Sequence, residues 1–209
     1  MVVQKYNSRS IMEVEKIARE NAKKKKIIET AWALFYDQGF EATTIEQIIS
    51  ECKVSKGTFY HYFSAKTDLF SSLSDLFDEQ YLIIEKDLDP SLHSFDKLIY
   101  MSKHLFKFIE DKVPVEILAY MYSSQVTKKG EKHLLNQSRY YYKLLMIIIE
   151  EGQKKNQLRN ERSSRELMKI YAMQERSILY DWCICEGNYP LASYGIELLS
   201  IFMQGFRID

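Results

Sequence analysis

Two helix-start signals stand so close together in residues 43–63, TTIEQIISECKVSKGTFYHYF, that the first helix is limited to about two turns. Thr43 with Glu46 and Thr44 with Gln47 form overlapping capping boxes, in which a hydroxyl accepts from an orphan backbone N–H and the acid or amide reaches back. Ile45, Ile48, Ile49 and Cys52 follow at i, i+3, i+4 and i+7, which gives one apolar face to a helix running from residue 44 or 45 to 52. Ser55 caps a second short helix, 56–63, whose Phe59 and Phe63 stand four apart on its inward side. Lys53-Val54-Ser55 is then a three-residue turn with an apolar residue inside it, and the segment is laid out as a helix-turn-helix.

The flanking sequence is helical throughout. Ser10-x-x-Glu13 is a further capping box, and Ile11, Val14, Ala18, Ala22, Ile28, Ala31 and Phe35 carry an apolar row to about residue 38. Gly39 ends that helix in the left-handed conformation, and Phe40 can fold back on it. Beyond Lys66 the spacing of Leu69, Phe70, Leu73, Leu76, Phe77 and Leu82 predicts a helix to about 87, stopped by Asp89-Pro90. Further helices are expected over 94–110, 114–125, 131–154 after the Lys128-Lys129-Gly130 loop, 164–185 under a Ser163 to Glu166 cap, and from Pro190 to about 206. With 7 glycines and 3 prolines in 209 residues, punctuation is scarce, and an all-α chain with almost no sheet is expected.

Charge is neutral overall but not evenly placed. Residues 1–66 hold 11 Lys/Arg against 8 Asp/Glu, and the remainder 18 against 21, so a basic front precedes an acidic rear. The run Lys23 to Lys26 would sit unfavourably at a helix N-terminus, which favours a helix that starts upstream; contact of one or two of these lysines with phosphate is left open. Three cysteines without framework spacing, no signal-peptide pattern, and a longest apolar run of six residues, Leu144 to Ile149, lead us to expect a soluble cytoplasmic protein.

Catalytic readings find little support. His61, His93, His104 and His133 lack partner spacing for a metal, Cys183 and Cys185 point to different helix faces, and no glycine-rich phosphate loop follows a strand. No enzyme activity, metal or cofactor is expected.

Residues 27–69, through Gly39, Thr43-Thr44, Val54-Ser55, Gly57-Thr58, Tyr60, Phe63 and Lys66, resemble the N-terminal DNA-binding domain of TetR-type transcriptional regulators. The family often has glycine in the turn where this chain has Lys53, and a left-handed lysine costs roughly 1 kcal/mol, so a slightly different turn is expected. The resemblance implies a DNA-binding domain over residues 1–66 and an effector-binding and dimerisation domain over 67–209.

A recognition helix presents its N-terminal residues to the major groove, where Gly57 leaves the backbone room to approach. Lys56 and Thr58 would bond base edges or nearby phosphate, and Thr43, Thr44 and Ser55 would present hydroxyls and helix N-termini to phosphate. Tyr60, His61 and Tyr62 combine flat bodies with polar tips. By resemblance, Tyr60 and Lys66 are backbone anchors, and Lys56, Gly57, Thr58 and His61 base readers. The resemblance further implies a homodimer through the last two helices, at Ile178, Trp182, Leu198, Leu199 and Phe202, and a lipophilic or aromatic effector near Phe106, Tyr120, Tyr122 and Tyr141. The function expected is a ligand-responsive repressor released from a palindromic operator. A DNA-binding protein with a structural or cell-division role is the alternative.

Overall fold

Helix caps and apolar rows of the kind just described organise the computed structural model, which describes residues 20, 22–127 and 132–209. The Ser10–Glu13 capping box, the apolar positions Ile11, Val14 and Ala18, and the Lys128-Lys129-Gly130 loop lie outside these residues. The chain is all-α: nine α-helices and no strand occur among the described residues. None of those helices is long and apolar enough to cross a membrane. Two compact units divide the chain, one ending at Leu69 and the other beginning at Phe70.

In the first unit, α1 occupies residues 22–38, so Lys23 to Lys26 lie within a helix and are exposed. Ile27, Ala31 and Phe35 form its buried row; the inward position is Ile27, whereas Ile28, expected there, is half-buried. Gly39 stands at φ 83°, donates its N–H to the Phe35 carbonyl at 3.0 Å, and lets Phe40 turn back edge-on to Phe35. Of the two overlapping boxes, Thr44 with Gln47 is the one formed, opening α2 at Ile45–Cys52. α3 is Lys56–Tyr62, capped by Ser55. Between them Lys53 is left-handed at φ 55°, and the N–H groups of Lys53 and Val54 bond the Ser50 and Ile49 carbonyls, each at 3.2 Å. Those bonds satisfy helix-end carbonyls and offset the conformational cost. Ile48, Cys52, Phe59 and Phe63 join the α1 row in a small core.

The second unit follows a 3-10 turn at Lys66–Phe70, started by Asp68, whose carboxylate accepts from the Ser64 and Ala65 N–H groups. Its helices are α4 (Ser71–Asp87), α5 (Ser94–Lys112), α6 (Val115–Thr127), α7 (Tyr140–Lys154), α8 (Ser164–Ile184) and α9 (Ile196–Met203). On α4 the inward positions near the end are Tyr81 and Ile84, while Leu82, expected inward, is 43% exposed. The helix expected over 131–154 is broken. His133–Leu135 forms a 3-10 turn, Asn136 accepts from the Ser138 N–H and hydroxyl, and Arg139 is extended and forked on Asp78 at 2.8 and 3.1 Å. The Ser163–Glu166 capping box forms and opens α8. A π turn, Leu191–Gly195, precedes α9, where a Cβ on Gly195 would lie 3.2 Å from Ile178.

Candidate functional site

The helix-turn-helix divides its side chains cleanly. Phe59 and Phe63 are 0% and 3% exposed, and they fix α3 to the core through one side. On the other side Ser55, Lys56, Gly57, Tyr60 and His61 are exposed, with Thr58 half-buried. The Ser55 hydroxyl accepts from the Thr58 N–H at 3.1 Å and shares a 2.9 Å hydrogen bond with the Thr58 hydroxyl. Gly57 carries no packing duty. A Cβ there would meet only the Ser55 hydroxyl, at 3.9 Å, and its φ is ordinary.

Lys56 is held between two partners that sequence reasoning missed. Its ammonium is 3.4 Å from the Glu46 carboxylate on α2 and 6.0 Å from the Tyr60 ring centroid. The Glu46 carboxyl is pulled below its usual range by its own backbone N–H and then by Lys56. Such an exposed pair is screened by water and contributes little, so Lys56 can exchange it for another anion. Glu46 was visible only as a capping residue, and its reach to Lys56 depends on how the two helices cross.

Three expected contact residues turn inward. Thr43 is fully buried: its hydroxyl donates to the Gly39 carbonyl at 2.8 Å and accepts from Gln38 at 3.1 Å, which fixes the turn. The Lys66 ammonium donates to the Phe40 and Thr43 carbonyls at 2.6 and 2.7 Å and lies 4.0 Å from the Phe40 ring centroid. It clamps the same turn instead of facing outward. The Tyr62 hydroxyl donates to the Glu20 carbonyl at 3.1 Å, so its polar tip is used inside the unit. Thr44 stays exposed as the α2 cap.

In the second unit the expected effector residues do not converge. Phe106 is fully buried. Tyr141 is buried with its hydroxyl donating to Glu175. Tyr122 lines a groove of ≈450 Å³ with Met173 and Tyr180, whereas Tyr120, stacked 5.9 Å from Phe70, lines a different one of ≈570 Å³ with Val115 and Cys183. Aromatic spacing along separate helices does not say which rings share a space.

The expected dimer residues also need correction. Ile178, Trp182 and Leu199 are 3%, 5% and 0% exposed within the single chain, and the Trp182 ring N–H donates to the Tyr189 carbonyl at 3.0 Å. Leu198 is half-buried, and Phe202 is exposed. The apolar side chains left outward are Met173, Tyr180 and Ile184 on one face of α8, and Tyr194, Ile201 and Phe202 along the last helical segment. Both faces of α8 are apolar enough that periodicity alone did not choose between them.

The polar centre of the second unit has no counterpart in the sequence reading. Glu175 on α8 is 4% exposed, accepts from the Ser102 and Tyr141 hydroxyls, and lies beside Tyr171, which donates to the Leu98 carbonyl at 2.6 Å. Burial, only partly offset by those hydroxyls, raises its carboxyl to about 7. A single glutamate inside an apolar helical period was the available signal.

Comparison with known proteins follows this division. The sequence model of bacterial regulatory proteins of the tetR family matches residues 27–73. The chain is 47% identical over 57 residues to YerO, an HTH-type transcriptional regulator of Bacillus subtilis, which covers 27% of this chain and 20% of that protein. With IcaR of Staphylococcus aureus, the negative transcriptional regulator of the biofilm operon icaADBC, identity is 30% over 122 residues, 55% of this chain and 64% of that one. The chain thus spans about a fifth of YerO's length and less than two thirds of IcaR's. Thermus thermophilus FadR, a TetR family transcriptional repressor in complex with lauroyl-CoA, superposes with a TM-score of 0.68 at 19% identity over 88% of this chain and 95% of that one, a likeness of fold.

Proposed function

From the match of residues 27–73 to the tetR family of bacterial regulatory proteins we propose that the chain is a cytoplasmic, homodimeric DNA-binding repressor of that family, released from its operator by a small lipophilic or aromatic effector. The observation that carries this reading is the outward side of α3, where Gly57 stands in open space between Lys56 and Thr58. A backbone bared at the start of a helix suits entry into the major groove. Lys56, Thr58 and His61 would then reach base edges, Tyr60 would lie on the sugar-phosphate backbone, and the Thr44 and Ser55 helix starts would face phosphate. Thr43, Tyr62 and Lys66 support that surface from behind. Repression is favoured by the negative regulator IcaR and the repressor FadR among the similar proteins.

A two-fold dimer presents two recognition helices to two half-sites. Ile184, Ile201 and Phe202 supply the outward apolar surface for it, with Leu198 at its edge. The effector acts by binding one conformer of the second unit better than the other, and that difference sets how far it can shift DNA affinity.

Selection of genomic fragments on the purified protein tests the reading. A few palindromic sites beside promoters are expected; many dispersed sites would replace it with a chromosome-organising role. On those fragments Tyr60→Ala weakens specific and non-specific binding alike, and Lys56→Ala changes the preferred sequence. Ile184→Asp yields monomers by light scattering, and an intact dimer would move the interface elsewhere.

A further inference from the structure

Along the seam of α6 and α8, the ≈450 Å³ groove is walled by Tyr122 and Val126 of α6, Leu134 and Leu135 of the 3-10 turn, and Met173 and Tyr180 of α8. Its size falls within the usual range for small-molecule sites. Val126, Leu135, Met173 and Tyr180 are 74%, 55%, 53% and 49% exposed, so the apolar wall lies open.

One cation is built into this wall. Arg176, half-buried on α8, donates through Nη1 to the Tyr142 hydroxyl at 3.1 Å, and that hydroxyl donates in turn to the Leu134 carbonyl at 2.6 Å. The phenol's proton is thereby committed to the carbonyl, its lone pair faces the guanidinium, and the guanidinium is held in place. No carboxylate lies within ion-pair distance of Arg176 among the described residues; Glu175 feels its charge, but its oxygens accept from Ser102 and Tyr141. Most of its five donors therefore remain for a ligand. Lys132 also lines the groove, its ammonium 3.3 Å from the Val126 carbonyl. A fixed planar cation beside an apolar slot matches a molecule with an anionic head and a hydrophobic body.

We propose that this groove binds a small amphipathic anion, its hydrophobic body lying on Tyr122, Val126, Leu135, Met173 and Tyr180 and its carboxylate or phosphate head forked on the Arg176 guanidinium. The inference rests on the effector reading above in one respect: the bound anion is the signal that releases DNA.

Calorimetric titration of the full-length protein with octanoate, octyl phosphate and 1-octanol tests the site and separates the two head groups. At least one of the anions binds roughly tenfold or more tightly than the alcohol, as a charge-assisted hydrogen-bonded pair requires. Arg176→Gln brings that anion down to the level of the alcohol, Arg176→Lys retains part of the preference, and Leu135→Asp weakens anion and alcohol alike. Circular dichroism on each variant checks folding. Equal binding of all three probes, binding of neither anion, or unchanged anion affinity in Arg176→Gln or Leu135→Asp overturns the proposal. Release of a selected DNA fragment is read in parallel: an anion that binds through Arg176 but leaves the DNA bound keeps the site and removes its role as effector.

Discussion

The two units satisfy their buried polar groups by opposite means. Among the described residues of the N-terminal unit the buried polar side chain is Thr43, which bonds a carbonyl four residues away, and the half-buried Lys66 ammonium bonds backbone carbonyls of the same turn. In the second unit Lys97 and Glu175 are both 4% exposed, and their partners lie on other helices: Glu151 is 54 residues from Lys97, and Ser102 and Tyr141 are 73 and 34 residues from Glu175. The first unit answers these groups with backbone carbonyls of one turn, reached from four residues away by Thr43 and from 26 and 23 residues away by Lys66. The second depends on polar groups that find one another only after the helices assemble.

The sharpest way to break the first half of that contrast is to empty the small core. Phe59 is fully buried, with ring centroids 5.5 Å from Tyr60 and 5.7 Å from Phe63. Phe59→Ala is expected to cost about 3–5 kcal/mol, measured by urea unfolding, and to abolish binding to a selected DNA fragment. A cost below about 1 kcal/mol would mean that α3 is held by something other than this core.

The second half turns on protons. Glu175 faces Tyr81 from α4, Ser102 from α5, Tyr141 from α7, and Tyr171 and Arg176 from its own helix. Its carboxyl rises from 4.5 to about 7, so between these values the folded state holds a proton that the unfolded state has lost. Stability from this group is therefore present below about pH 4.5 and declines as pH rises through about 7, by about 3 kcal/mol in all. Glu175→Gln removes the decline. Glu46, Glu151 and Glu166, whose carboxyls are held below their usual range, act in the opposite direction and cancel when wild type and variant are compared at pH 5 and pH 8. A difference that stays flat with pH would remove Glu175 as the titrating group.

Lys66 separates a structural ammonium from one that meets phosphate. Lys66→Met takes the ammonium from the Phe40 and Thr43 carbonyls, of which Phe40 keeps the Thr43 N–H, and is expected to cost about 2 kcal/mol. The log-salt slope of DNA binding should stay unchanged. A slope lowered by about 0.9 would return Lys66 to the phosphate-contacting set.

What could be read from sequence follows the same contrast. Gly39, the Thr44 and Ser163 capping boxes, and the Phe59 and Phe63 pair act within a few residues of themselves, and each was legible. Even there the pattern stopped at direction: Thr43, Tyr62 and Lys66 look like surface polar residues until the turn at Gly39 and the path of α1 bring their partners close. In the second unit Ile178, Trp182 and Leu199 carried the right periodicity for burial but gave no sign of which surface would bury them. The break at Asn136 to Arg139 had one local signal, Asn136 two residues before Ser138, and otherwise depended on Asp78, about sixty residues earlier.

Gly57 gives the smallest change in stability and the clearest separation of folding from binding. An added Cβ would touch nothing closer than the Ser55 hydroxyl at 3.9 Å, so Gly57→Ala meets no steric resistance within the unit. As a helical position in α3 it should gain about 0.5–1 kcal/mol from alanine's better propensity. If the bare backbone serves only the fold, DNA affinity stays constant or rises with that gain. If it lets α3 close on a base edge, the methyl group holds the backbone away and affinity falls while the melting temperature rises. Denaturation and fluorescence anisotropy on the same preparation read both quantities. A more stable protein that binds DNA less well is the expected result, and equal affinity would remove close approach at Gly57 from the reading of the interface.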